Sequence, residues 1–308
     1  MADRIWIGTT SGDPNVTTNW SPNTVPVNGD RQIFDYRALR DLDTNLAALS
    51  AVNGSIVIDH SFTKNIGDGT SYYQTAVTAF DGGQKTSGST TGGSARVMID
   101  FGAAALVGAV RRTAANPLNA EANLMPWRFK GSNLTFNVSG PAKVGFAQLT
   151  GETATLTALR LTANDDGVPQ VELGRGTTVT ALTVNAGTAH SISDNTTATT
   201  IVDGGVYDHA GSGGHTNVTV YTGSTFNFSG TGGITGTLIV QGGTFDGSRE
   251  GRSRTIATAR FYANSTVNLD NGVNTSWTFT NPIEYPDGIG ALAMLKTPPS
   301  VKGTLTNI

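Results

Sequence analysis

The chain has no cysteine among its 308 residues. That excludes a disulfide framework, a Cys-ligated metal and a cysteine nucleophile, so the fold must hold without cross-links. Charge is scarce as well: Asp, Glu, Lys and Arg make up 14% of residues, against roughly 25% in ordinary soluble domains. The net charge is −3 and no basic run occurs, so phosphate neutralisation gives no grip on nucleic acid and no nucleic-acid partner is expected. No stretch approaches the roughly 18 consecutive apolar residues of a membrane span, so no membrane partner is expected. Met1-Ala2-Asp3-Arg4-Ile5-Trp6 leads into no apolar run, so no secretory signal is expected either.

What the chain has instead is glycine, 39 residues, and threonine, 46 residues, of which 30 lie after residue 150. Low charge would suit disorder if apolar residues were also rare, but they form 37% of the chain and fall in patterned clusters. Threonine suits a pleated, half-exposed surface, and glycine supplies the positive φ angles of tight turns. The length allows one large domain with a substantial core.

Six segments share one shape, with a short alternating apolar strand closed by Asn or Gly. They begin at Leu159, Leu182, Ile201, Val218, Leu238 and Arg260, spaced by 23, 19, 17, 20 and 22 residues. Three are followed by near-copies of a second strand: Ser224-Thr225-Phe226-Asn227-Phe228, Gly243-Thr244-Phe245-Asp246 and Ser265-Thr266-Val267-Asn268-Leu269. A repeat of about 20 residues that contains two strands and a Gly/Asn corner is the signature of a stacked coil. The pattern predicts an all-β, right-handed parallel β-helix; a β-sandwich or jelly roll is the alternative. Ser55–Asp59, Arg96–Phe101 and Asn133–Val138 read as earlier strand cores about two coils apart.

Three regions are expected. Residues 1–54 form an N-terminal cap, in which Thr44 caps a short helix through Asn45–Leu49. Residues 55–280 form the β-helix, with loop excursions near 81–95 and 111–127. Residues 281–308, rich in proline, form a tail that does not continue a regular coil.

Chemistry is harder to find. Paired carboxylates for proton transfer or Ca²⁺ could come from Asp165-Asp166, Asp203, Asp208, Asp246 or Asp270, but most sit beside Gly or Asn, where Asp closes turns through its own side chain. His209 and His215 flank Ala-Gly-Ser-Gly-Gly, which reads as a surface loop without a third metal ligand. The Gly-rich segments lack the Lys-Ser/Thr pair of a phosphate loop, and no nucleophile elbow accompanies the histidines. No catalytic, metal or cofactor site is expected, and the chain reads as a non-enzyme. Trp6, Trp20, Trp127 and Trp277 read as staples of the irregular regions or as interface anchors.

The opening block carries a resemblance. Trp6-Ile7-Gly8, Asn19-Trp20-Ser21-Pro22, Val25-Pro26, Gly29-Asp30 and Ile33-Phe34 resemble the segment that precedes β-helical repeats in autotransporter-type proteins and in virion proteins of tailed phages. Without a signal or a membrane β-barrel segment, the chain looks like the phage group, especially head decoration (cement) proteins. The resemblance implies a homotrimeric virion structural protein, made in the host cytoplasm and bound to the major capsid protein on the outer capsid surface. It places the candidate capsid interface at Trp6, Trp20, Pro22 and Pro26, or at Tyr285, Pro286, Pro298 and Pro299. The alternative is a tail-spike or fibre β-helix that binds or cleaves surface polysaccharide, with acidic residues from adjacent coils meeting in a groove.

Overall fold

The computed structural model describes residues 1–84, 96–113, 124–248, 253–270, 277–287, 294–296 and 305–307. The chain divides into two compact units, Met1–Thr157 with Asn164–Val171, and Ala158–Ala163 with Glu172–Ile308. Each is a parallel β-helix.

The strands of the first unit are β1 (Asp3–Trp6), β2 (Trp20–Ser21), β3 (Asp30–Phe34), β4 (Gly54–Asp59), β5 (Tyr73–Gln74), β6 (Ala79–Gln84), β7 (Val97–Asp100), β8 (Leu106–Val110), β9 (Trp127–Ser139) and β10 (Lys143–Phe146). One ladder stacks β1, β3, β4, β6, β8 and the second half of β9 in parallel. The other stacks β5, β7, the first half of β9, and β10. β9 serves both ladders because it turns a corner at Gly131 and Asn133, whose φ angles are +138° and +65°.

Register is set by one inward column: Arg4, Gln32, Ile56, Phe80, Gly108 and Phe136 lie over one another. Gln32 to Ile56 is one full coil, and so is Gly108 to Phe136. Coils here are therefore longer than the repeat of the second half, and the separations read as about two coils each span about one and a half. Ser55 lies in one ladder and Arg96 leads into the other, so counting between them compares two different faces. Phe80, Phe101, Phe129, Phe136 and Phe146 fill this interior, with Phe129 and Phe136 stacked at 5.2 Å.

β11 (Ala154–Thr162) and β12 (Gln170–Leu173) span the division between units. The second unit continues with β13 (Thr177–Val184), β14 (Thr188–Ser191), β15 (Thr197–Val202), β16 (Val206–His209), β17 (His215–Tyr221), β18 (Thr225–Phe228), β19 (Ile234–Gln241), β20 (Thr244–Asp246), β21 (Arg254–Phe261), β22 (Thr266–Asn268), β23 (Trp277–Phe279), β24 (Ile283–Tyr285), β25 (Met294–Lys296) and β26 (Leu305–Asn307). Its inward columns run Leu182, Thr200, Val218, Leu238, Ala259 and Val184, Val202, Val220, Val240, Phe261. The facing ladder contributes Ala189, Tyr207, Phe226, Phe245, Val267.

Aligning the repeats by sequence similarity slips the register in two coils. Thr200 and Ala259 point inward where similarity places Ile201 and Arg260, because in a strand a one-residue shift exchanges the faces. Similarity favours the bulkier residue; the ladder keeps Val202 and Phe261 inside instead.

Other expectations need correction. No α-helix forms at Asn45–Leu49. Asn45 has φ +50°, and the segment closes by turns in which Ala48 N–H bonds Asn45 O and Ser50 N–H bonds Ala47 O. The cap boundary at 54 does not hold either, since parallel pairing starts at β1. Residues 79–84 are strand β6, so the first part of the excursion expected near 81–95 belongs to the ladder; 85–95 and 114–123 lie outside the described residues. After residue 281 the ladder continues: β24 pairs with β21 and β26, and β25 with β22, all in parallel.

Glycine has a steric role at residue 247. A Cβ there would overlap the Trp277 ring, which fills the interior at that level. Gly247→Ala is expected to cost about 1–3 kcal/mol in urea unfolding. The register correction has its own test. Val202→Ala should cost about 2 kcal/mol or more, and Ile201→Ala about 1 kcal/mol or less; the reverse order would restore the slipped register.

Candidate functional site

The block Trp6 to Phe34 is a self-contained lock. Trp6 and Trp20 are fully buried, pair across β1 and β2, and meet edge to face at 5.2 Å. Their indole N–H groups bond Arg40 O at 3.1 Å and Pro14 O at 2.8 Å. Asn19, also fully buried, accepts from Thr10 N at 2.8 Å and donates to Asp13 O at 2.8 Å, so one side chain ties the whole loop down. Gly8 has φ +62°, and a Cβ there would press on Arg40 and the Trp6 ring. Asp30 accepts from Arg4 Nε at 2.8 Å and from the amides of Ala2 and Val27. Burial raises its pKa, but these donors outweigh it and hold the carboxyl below its usual range.

This lock decides where the proposed interface residues lie. Trp6, Trp20, Pro26 and Tyr285 are buried, Pro286 is half-buried and Pro22 is exposed. Pro298 and Pro299 lie outside the described residues. Buried side chains cannot meet a shell, so of the cap residues only Pro22 remains available. The cap presents other groups instead: Val27, Tyr36 and Leu39 are exposed. Trp127 and Trp277 are not in irregular regions, since each begins a ladder strand and is buried.

His209 and His215 do not lie on a surface loop either. They are 1% and 0% exposed in the second unit's interior, 4.8 Å apart edge to face, among Tyr207, Phe226 and Phe228. His209 Nε2 bonds Gly213 O at 2.7 Å, which makes Nε2 the protonated nitrogen. His215 Nδ1 meets Thr200 Oγ1 at 3.0 Å, the threonine that the register correction turns inward. Arg254 closes the cluster, donating to the carbonyls of Gly230, Gly247 and Ser229 and lying 5.4 Å over Phe228. The hydrogen bonds and rings around these groups make them polar members of the core.

The acidic candidates divide by place. Asp165 and Asp166 sit in the exposed turn bridged by Asn164 and Gly167, and Asp166 pairs with Arg112 at 3.3 Å. Asp203 and Asp270 are exposed. Asp208 and Asp246 share an outward column, His190, Asp208, Asn227, Asp246, Asn268, with Asn227 between them. Their backbones are two strand spacings apart, about 9–10 Å. Asp246 bonds Ser248 N at 3.0 Å, a turn role. Among the described residues no group of three His, Asp or Glu is placed to hold a metal, and no helix is long and apolar enough to cross a membrane.

The structure shows instead a cleft that the sequence did not reveal, a space of about 520 Å³ over the second ladder of the first unit. Asp100 on β7 and Lys130 on β9 are register neighbours, 3.5 Å apart. The Lys130 ammonium lies 4.7 Å over the Tyr72 ring. Tyr72 donates to Glu152 Oε2 at 3.0 Å, and the same oxygen accepts from Leu149 N at 2.9 Å. Burial first, then the Glu152 carboxylate, pushes the Tyr72 phenol far up, so it stays a donor at any working pH. The interval from Asp100 to Lys130 is longer than that from Lys130 to Glu152. No fixed spacing marks the four residues, and only strand pairing brings them together.

The buried histidines make the second unit sensitive to acid. Burial lowers His209 from 6.5 to about 4, despite the opposing Gly213 hydrogen bond and Asp208; burial first, then His209, also holds His215 well below its usual value. The folded state thus binds fewer protons than the unfolded chain. Stability is full above about pH 6.5 and falls as pH drops toward 4, by roughly 3 kcal/mol from His209 alone. Urea midpoints measured between pH 4 and 7.5 should show this slope, and His209→Phe should flatten it. Compared with known proteins, the chain matches no family model, no curated protein and no solved structure.

Proposed function

We propose that this protein is a non-enzymatic virion structural protein, a decoration protein held by the major capsid protein on the outer surface of a tailed-phage head and working as a homotrimer. The observation that carries the reading is the distribution of exposed apolar side chains. Among the described residues, the large exposed hydrophobics are Met1, Val27, Tyr36, Leu39, Val107, Val168, Ile192 and Tyr221, and half of these lie at or before Leu39. Most of the residues that carry the resemblance, Trp6, Gly8, Asn19, Trp20 and Asp30 among them, are used internally in the Trp6–Trp20 lock. What the locked coil turns outward is Tyr36, at 73% exposure, with Leu39 and the Arg37 guanidinium, which pairs with Asp35 and lies 5.8 Å over the Tyr36 ring. Aromatic and arginine side chains held by a rigid support make efficient interface anchors.

A chain without cysteine, with little charge and a hydrophobic interior in each unit, suits a load-carrying role on a particle. Added to particles that lack it, the protein should bind and be visible by cryo-EM at local threefold positions. Tyr36→Ser with Leu39→Ser should weaken binding about tenfold or more while leaving the melting temperature unchanged. Location on the tail, or absence from the particle, would overturn the reading, as would single copies in place of trimers on the shell.

A further inference from the structure

The geometry points to a binding site for a neutral oligosaccharide in the cleft over β7, β9 and the Leu149–Glu152 turn. The inference concerns this cleft alone and does not rest on the virion role.

The cleft has ligand size. About 520 Å³ lies within the roughly 300–1,000 Å³ range of small-molecule sites. Its walls differ from those of a site for an apolar ligand. Leu149 is the one aliphatic lining side chain, and the others are glycines, Thr and Ser hydroxyls, and the charged groups Asp100, Lys130 and Glu152. Donors and acceptors therefore alternate at short intervals. Vicinal hydroxyls, which donate and accept at neighbouring positions, match such a wall.

The charged groups are pre-organised. Lys130 is held between Asp100 and the Tyr72 ring, and Glu152 is held by Tyr72 and Leu149 N, so neither must be ordered when a ligand arrives. Pre-organisation of this kind reduces the entropic cost of binding a flexible polar ligand. The carboxylates keep acceptor capacity beyond these bonds, since each can accept about four hydrogen bonds.

Charge sets the class. Two carboxylates against one ammonium leave the wall with one net negative charge, which disfavours phosphorylated, sulfated or uronic glycans and favours a neutral chain. Gly102, Gly131 and Gly151 carry no side chain into the floor, their positive φ angles disfavour any other residue, and Gly151 faces open space. Among the described residues no exposed aromatic ring lines the cleft, so affinity should come from hydrogen bonds and be modest, about 1 mM for one chain. Repeated copies on one particle would raise it through avidity.

The test uses the full chain with maltohexaose, cellohexaose and chitohexaose as neutral probes and a heparin hexasaccharide as the anionic probe. Binding is followed by amide chemical shifts. At least one neutral hexasaccharide should bind with a Kd of about 1 mM, shifting Gly151, Thr155 and Ser132. Thr155→Trp, an exposed strand position on the rim, should weaken it about tenfold or more with an unchanged melting temperature. Should Thr155→Trp destabilise the fold, Ser132→Trp, at another exposed lining position, gives the same readout. Three results would overturn the inference: no neutral probe binding at about 10 mM, binding unaffected by either tryptophan, or the heparin fragment binding more tightly than every neutral probe.

Discussion

Everything in these coils depends on parallel register. Each inward side chain rests on the equivalent one of the next strand, so a column such as Val184, Val202, Val220, Val240, Phe261 forms one continuous apolar contact. Because successive residues face opposite sides, the interior tolerates no slip. Coil length, in contrast, is free. The coils from Gln32 to Ile56 and from Gly108 to Phe136 differ in length, and both exceed the coil from Val218 to Leu238. Loops at the corners absorb these differences without touching the columns.

That tolerance explains where polar chemistry sits. Inside the second unit, His209, His215, Thr200 and Arg254 occupy column positions, and most of their polar atoms are met by backbone carbonyls, a hydroxyl and aromatic faces. Buried polar groups stabilise only when they are satisfied, and they then favour one register over its neighbours. Outside, a polar column from His190 to Asn268 and the Asp100–Lys130–Tyr72–Glu152 network use the outward positions that the interior leaves free.

The N-terminal lock shows how a motif can be used up by contacts within its own coil. Trp6, Gly8, Asn19, Trp20 and Asp30 are each accounted for by a contact within the coil. β2 also lies antiparallel on β1 and covers part of the ladder's otherwise open edge. Covering an edge in this way limits unwanted strand addition. What the coil leaves exposed is Pro22 together with Val27, Tyr36 and Leu39, the last three outside the motif.

Alternation, the recurring two-strand unit and the Gly/Asn corners determined by themselves that this chain forms a parallel β-helix, because period-2 patterning and turn chemistry are local properties. The Val218 and Leu238 coils align correctly on that basis. Tertiary structure alone decided the rest. It placed Thr200 rather than Ile201 inside, since a column's fit depends on its neighbours above and below. It buried His209 and His215, whose Gly-rich surroundings read as surface, because glycine there permits close approach: a Cβ at Gly230 would press on the His209 ring. It brought Tyr72, Asp100, Lys130 and Glu152 together from distant points of the first unit, since a coil converts positions far apart in sequence into neighbours one strand apart.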